Sequence, residues 1–529
     1  MNFYRCHAFK LFGLVSLAAA IAAGIAAGAA DAGMAVPAWP TGPEGGSAGD
    51  QVLASVVRPG WQALHLEKGR HLFVDDYLVA SSQKLRSTLH HPQKPSKPIL
   101  WGVGSGDDAR QPYVTVLYDD RRGRFRMWYN TRKSLRDGPM YVSYIESRDG
   151  IHWDRPYKEL FEIYGFGSSV TDMGADYPDP ARRYAMIYWG RNGSGPLCKD
   201  GGAGLRAAFS PDGLKWTQYE GNPVTPDLWK YSVRCDPAKK GSIRWRDYAA
   251  DCVHATWDPV RKVHVAYIKS WTWPFQEFGY KSPTGDGGER LTSVMTSPDF
   301  IHWSTPVRCF VPEPDDFRSI EFGYTSRAKP RGNQMILLSC ILDEGILTDK
   351  GRGVGFTVLS TTNDLVHYNR MKEPWLDRAA NDSSAVDHAM AWVGDMITVG
   401  DEEYIYYVGY QWGHKNFNDR TINLARLRKD GFVSRDAGPE WGRLLTPLLR
   451  FDADTLTVNA KIRGELQLRI LDKDGKPIKG FREGEVEGIR GDSTAHVIKA
   501  RGKLSDLKGQ PVRFEFSLRD GELYAFELL

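Results

Sequence analysis

Six cysteines in 529 residues are few, and their spacing excludes more than their number does. No CxxC pair and no Cys/His pattern of zinc type occurs, so a structural zinc module is ruled out. Cys6 precedes an N-terminal apolar run. The other five, Cys198, Cys235, Cys252, Cys309 and Cys340, are odd in number and widely spaced. They leave room for one or two disulfides, and most read as small buried hydrophobes. An excess of either charge is also missing, with 69 Lys plus Arg against 65 Asp plus Glu. Without a basic field there is nothing to displace counterions from nucleic acid or to hold an anionic bilayer, so neither is an expected partner. No two histidines have helical metal spacing and no Gly-rich loop joins a strand to a helix, which removes zinc-helix and phosphate-loop chemistry.

The N-terminus carries Arg5 and Lys10, then LFGLVSLAAAIAAGIAAGAA over 11–30, with small residues at Ala27, Ala29 and Ala32 around its end. That order of charged, apolar and A-x-A segments predicts a secretory signal. The apolar run is long enough for an anchor, but its Ala and Gly richness makes a poor one. The mature chain is expected to be exported, periplasmic or extracellular, with no membrane partner after signal removal. A Pro/Gly/Ser-rich linker over 31–65 follows.

What the chain does have is a repeat. The stretch SRDGIHW at Ser147 returns as SPDGLKW at Ser210 and SPDFIHW at Ser297, with echoes TNDLVHY at Thr362 and LRKDGFV at Leu427. Copies lie roughly 60 to 90 residues apart, the size of one propeller blade or somewhat above it. Ser and Asp can take backbone N–H groups in a tight turn, Gly accepts a positive φ, and the Trp three residues on starts an outer strand. Around each copy run short strands bounded by turn residues, clearest in FRMWYN, YAMIYWG, VHVAYIKSW, QMILLSC and YIYYVGY. Four strands per unit, five units and no helical periodicity predict an all-β chain with a five-bladed β-propeller over residues 66–440. An array of β-sandwiches is the competing arrangement. HLFVDDYLV reads as an N-terminal strand closing the last blade, and its Asp75 and Asp76 point to opposite faces. Residues 441–529, with TLTVNAKI, GELQLRIL, PVRFEFSL and ELYAFELL, predict a C-terminal β-sandwich.

Propeller topology then places the chemistry. Connections between the second and third strands of each blade are long and rich in Gly, Arg and aromatics, as in SWTWPFQEFGYKSPTGDGGER and YQWGHKNFNDR, and they share one face. Inner strands start on that face. Their starts supply Asp107, Asp108 and Arg110 in blade 1, Asp172 in blade 2, Asp247 and Asp251 in blade 3, Arg318 and Glu321 in blade 4, and Asp387 and His388 in blade 5. Opposed carboxylates several Å apart are what glycosidic bond cleavage needs, one as acid for the leaving oxygen and one as base or nucleophile. Trp271, Trp273 and Trp412 lie in the loops, where an indole stacks on a sugar face. His388 and His414 are candidates for hydrogen bonds to sugar hydroxyls. No residue set reads as a metal site or calls for a cofactor, although Ca²⁺ in the channel is compatible with an acidic ring.

With its S-x-D-x-x-x-W turns, inner-strand carboxylates and C-terminal sandwich, the chain resembles the five-bladed glycoside hydrolases of families 32, 43, 68 and 130. LFVDDYLV, FRMWYN, GELQLRILDKDGKPIKGF and ELYAFELL are similar to exported proteins with a family 32-like N-terminal domain. The resemblance implies three acids from the first three blades: a base or nucleophile at Asp107 or Asp108, a stabilising or pKa-tuning group at Asp172, and a general acid at Asp251. The sucrose-box phrase and R-D-P triplet of family 32 are missing, and blade 3 offers Asp where Glu is usual, so Glu321 or Asp387 could carry a role instead. The expected activity is removal of a terminal sugar from a poly- or oligosaccharide. A non-catalytic glycan-binding propeller and a glycoside phosphorylase, with Arg110 or Arg318 holding phosphate, are the alternatives.

Overall fold

A computed structural model describes residues 63–529 except 96, 102–109, 133–139, 164, 191–203, 225–248, 272–289, 311–315, 317–319, 415 and 417–419. No α-helix occurs among the described residues. The strands form five blades. Blade 1 comprises Val114–Asp119, Arg124–Arg132, Met140–Ser147 and Lys158–Ile163; blade 2 comprises Gly165–Asp172, Tyr184–Gly190, Gly204–Ser210 and Thr217–Gln218. Blade 3 comprises Ala249–Asp258, Val263–Trp271, Arg290–Ser297 and Val307–Phe310; blade 4 comprises Ile320–Arg331, Gln334–Thr348, Gly351–Thr362 and Asn369–Arg370. Blade 5 has Met390–Val399, Glu402–Tyr410 and Arg420–Arg428. Each blade is an antiparallel meander, and its first strand lies against that of the next blade all the way round the ring.

Burial explains the sequence pattern. Both faces of a blade's second strand are covered by neighbouring blades, so Tyr184–Gly190 and Glu402–Tyr410 are buried almost throughout. That is why these strands read as continuous apolar and aromatic runs rather than alternating ones. Between consecutive blades lie five apolar clusters. They are built on Trp128 and Met186, on Ile187 and Met295, on Tyr267 and Leu337, on Leu338 and Tyr407, and on Trp392 and Met127. The last of these joins blade 5 to blade 1 and closes the ring.

The repeated turn is a clasp. In blade 1 the Asp149 carboxylate accepts the backbone N–H groups of Ile151 and His152, both at 2.8 Å, and Ser147 Oγ accepts that of Gly150 at 2.9 Å. Asp212, Asp299 and Asp364 repeat this geometry in blades 2, 3 and 4. The residue after each Asp (Gly150, Gly213, Phe300 and Leu365) takes a φ between 62° and 74°. The aromatic closes the turn: Trp216, Trp303 and Tyr368 donate back to the carbonyls of Gly213, Phe300 and Leu365. Preceding blades grip the same turns, with Tyr406 OH donating to Gly150 O at 2.9 Å and Trp128 Nε1 to Gly213 O at 2.8 Å. The fifth copy does not share the geometry, because its left-handed residue is Asp430 itself, which is ion-paired to Arg331 and Arg70.

The predicted closing strand is corrected. Gly69–Leu72 pairs with Arg513–Leu528 of the C-terminal sheet, not with blade 5. Blade 5 is completed instead by residues 93–95 and 97–100, where Gln93 bridges Arg426 and Leu100 bridges Ile422. Val433–Ala437, which follows the fifth copy of the turn, joins the C-terminal sheet. The reason is the core each segment fills: Phe73 and Leu78 pack with Phe514, Phe516 and Phe526. Asp75 and Asp76 do diverge, Asp75 accepting from Gln334 and Thr361 of blade 4 and Asp76 pairing with Arg435.

Candidate functional site

The carboxylate expected in blade 2 is misplaced. Asp172 is the last residue of its inner strand, opposite Tyr184, whereas Gly165 and Gly190 mark the loop-bearing end. Its carboxylate forms a two-point pair with Arg183, at 3.1 and 2.9 Å, and accepts the Gly174 N–H. It therefore braces a turn on the face away from the long loops, and the tuning role implied for it is withdrawn. Asp107, Asp108, Asp247, Trp273 and Arg318 lie outside the described residues. Asp251, Glu321 and Trp271 are placed by their backbone alone: Asp251 in Ala249–Asp258, Glu321 second in Ile320–Arg331, and Trp271 last in Val263–Trp271. All three positions are at the loop-bearing end of the ring.

The other candidates come together between blades 4 and 5. What reads in sequence as a loop, LDEGILTDKGRG, is an extended hairpin with a two-residue turn at Asp349 and Lys350. Thr348 Oγ1 accepts the Lys350 N–H and Gly351 takes φ 118°, which sets that turn. The hairpin leans on the blade 5 mouth. Asp349 lies 3.3 Å from His388 Nε2, and Lys350 sits 4.5 Å from the Trp412 ring centroid. The Gly413 N–H donates to Lys350 O and the His414 N–H to Arg352 O. A Cβ at Gly413 would stand 2.4 Å from Arg352 O, so only glycine permits this docking.

Beneath this contact is a polar group that sequence reasoning missed. Glu344 Oε1 lies 2.5 Å from His414 Nδ1 and 3.8 Å from Arg290 Nη1, and the Glu344 and Arg290 side chains are almost wholly buried. Burial pulls the His414 imidazole down to about 4, against the raising effect of Glu344. A neutral His414 therefore donates its Nδ1–H to the carboxylate. Arg420 stacks on Tyr410 at 3.9 Å and donates to Gln111 Oε1 at 2.8 Å, while Arg110 donates to Arg420 O at 3.0 Å. Arg110 thus stitches blade 1 to blade 5. Asp387 accepts from Lys94 at 2.7 Å and Tyr407 OH at 3.3 Å, and burial with Asp387 beside it raises the Tyr407 phenol. The T-D-K-G turn signature was the available signal for the hairpin and hence for Glu344.

Deeper in the channel, Asp395 is buried beside Lys329 at 2.8 Å and Arg327 at 3.6 Å, and it accepts the Val116 N–H at 2.7 Å. Burial works against its charge, but Arg327 and Lys329 outweigh that and hold the carboxyl below its usual range. Among the described residues no three His, Cys, Asp or Glu side chains cluster as metal ligands. Cys252, Cys309 and Cys340 are free thiols.

No family model matches the chain. Over 135 residues it is 32% identical to two uncharacterised proteins of Mycobacterium tuberculosis strains, covering 23% of this chain and 41% of each of theirs. The chain thus spans less than half the length of the curated relatives it matches. Among solved structures it is similar to a glycoside hydrolase, with a TM-score of 0.42 and 15% identity over 64% of this chain and 93% of that one. A family 32 β-fructofuranosidase of Bombyx mori gives a TM-score of 0.39 and 14% identity over 84% and 94%. A structure from the family 130 mannoside phosphorylases, a family described as containing glycoside hydrolases that target β-1,2-mannosidic linkages in Candida mannan, gives 0.40 and 13% over 66% and 97%.

Proposed function

We propose that this chain is an exported carbohydrate-active enzyme that hydrolyses the bond to a terminal sugar at the loop-bearing mouth of its propeller. The observation that carries this reading is the convergence of acidic positions there: 251 and 321 near the starts of adjacent inner strands, with Asp387, Asp343 and Glu344 on the same rim. Asp251 or Glu321 would protonate the leaving glycosidic oxygen as its bond to the anomeric carbon breaks. Asp107 or Asp108 would attack that carbon or take a proton from the water that does, and water supplies the new hydroxyl. Glu344 holds His414 through its Nδ1 and so fixes the blade 5 loop at the mouth. Trp412, held by Lys350, offers a stacking surface. The signal-like residues 1–30 support export.

The test is incubation of the purified chain with aryl glycosides and plant and algal oligosaccharides, alongside Asp251→Asn and Glu321→Gln. Release of one sugar that either substitution abolishes supports the reading. Binding without turnover would make the chain a glycan-binding module, and release that requires added phosphate would make it a phosphorylase.

A further inference from the structure

We infer that the C-terminal sheet carries a second carbohydrate site, apart from the propeller mouth, that takes an oligosaccharide bearing carboxylates. The strand Arg513–Leu528 bends as it changes partner, pairing first with Gly442–Leu445 and then with Val433–Ala437. At the bend, the neighbouring strand Leu456–Leu471 slips register between Ile462 and Glu465. The local backbone is committed to this shape. Asp520 sits at φ 45°, and a Cβ at Gly464 would stand 2.5 Å from Arg519 O. A Cβ at Gly521 would stand 2.6 Å from Ile462 Cδ1. A bulge of this kind re-aims the side chains at its edge, and a non-glycine residue held in left-handed conformation is a cost that folds tend to concentrate at sites of function.

Beside the bulge lies a cavity of about 520 Å³, within the size range of small-molecule sites. Its walls come from four separate segments and include Lys84, Arg86, Asp436, Arg463 and Glu522. Most of these charges are engaged: Lys84 with Glu440 at 2.6 Å, Arg86 with Asp436 at 3.5 Å, and Glu522 with Tyr524 OH. Arg463, at the bulge, is exposed and makes no ion pair or hydrogen bond with any described residue. Three residues beyond Gly438 of the lining, Trp441 is held out, 42% exposed, with the Arg519 guanidinium 5.1 Å from its ring and Glu465 behind that guanidinium at 3.6 Å.

Each feature selects for part of one ligand. A propped, solvent-facing indole matches the C–H face of a pyranose. An uncommitted guanidinium matches a carboxylate through two parallel N–H donors. Glu522, whose Oε2 accepts from Tyr524 OH, keeps Oε1 as an acceptor for a hydroxyl group. A uronic-acid oligosaccharide presents all three chemistries together. This site does not rest on the hydrolase reading, since it shares no residue with the mouth.

Calorimetric titration of the full chain with tetragalacturonate, and with a neutral galactotetraose, tests the inference. Wild type is expected to bind the acidic oligomer and not the neutral one. Arg463→Ala and Trp441→Ala should each weaken binding by about tenfold or more, and Arg463→Lys should restore only part of it. Glu321→Gln, at the mouth, should leave this binding unchanged. Both substituted side chains are exposed, so unfolding midpoints should match wild type. Equal affinity for the two oligomers, no binding by wild type, or full affinity in both alanine variants would overturn the inference.

Discussion

Replacing Gly150 by alanine probes the blade-to-blade clasp, and Gly123 supplies the control. Both glycines are left-handed, at φ 74° and 60°, so alanine at either position incurs about 1 kcal/mol of backbone strain. At Gly123 nothing lies within 4 Å of an added Cβ. At Gly150 the Cβ would stand 2.7 Å from Tyr406 OH and 3.3 Å from Phe125. The hydroxyl that donates to Gly150 O must then move, leaving buried polar groups unpaired at a cost of roughly 1–3 kcal/mol. Gly123→Ala is therefore expected to destabilise by about 1 kcal/mol and Gly150→Ala by about 2–4 kcal/mol. Urea unfolding with the midpoint and slope of each variant measures the difference. Adding Tyr406→Phe to Gly150→Ala removes the oxygen that clashes, so the pair should cost less than the sum of the single changes. Equal effects at the two glycines would refute the claim that the repeated turn fastens one blade to the next.

Asp395→Asn leaves Lys329 and Arg327 buried without their anion and is expected to lower stability by about 3–5 kcal/mol, with part recovered by adding Lys329→Met; a chemical melt checks both. Burial lowers His71 and His264 to about 4, so the unfolded chain binds more protons than the folded one between that value and the ordinary 6.5. Stability from these two groups is present above pH 6.5 and falls as pH drops toward 4. The share of the slope from these two approaches about 3 kcal/mol per unit near pH 5, His414 adds to it in the same direction, and an acid titration of the unfolding midpoint should flatten in His71→Gln. Gly413→Ala should unseat the blade 5 loop from the blade 4 hairpin, because its Cβ meets a backbone carbonyl. Sugar release should fall by about tenfold or more while the propeller still unfolds cooperatively.

The parts of this fold legible in sequence are those whose residues specify a backbone shape locally. The Ser/Asp turn is one, because two short side chains satisfy its N–H groups wherever it occurs. The sandwiched second strands are another, because burial on both faces demands an apolar run. Asp172 was misassigned because its strand, GFGSSVTD, is rich in Gly and Ser and gives little sign of where it begins. Contacts from neighbouring blades hold that strand in place, as when Ser169 Oγ accepts the Ala255 N–H. Closure of blade 5 was hidden for a similar reason: residues 93–100 include Pro95 and Pro98 and make only isolated bridges, so they read as loop. Glu344 escaped notice because a strand of 15 residues outruns the length of its repeat partners, and only the tertiary hairpin brings it to His414.

The proposed activity is cleavage of a glycosidic bond by carboxylates at the mouth of the propeller. Sugar release from an oligosaccharide panel by wild type, Asp251→Asn and Glu321→Gln tests it most directly, with phosphate omitted and the unfolding midpoint of each protein measured alongside. One released sugar is expected, lost or cut by at least a hundredfold in one of the two variants while both remain folded. Release that is undiminished in both folded variants would contradict it.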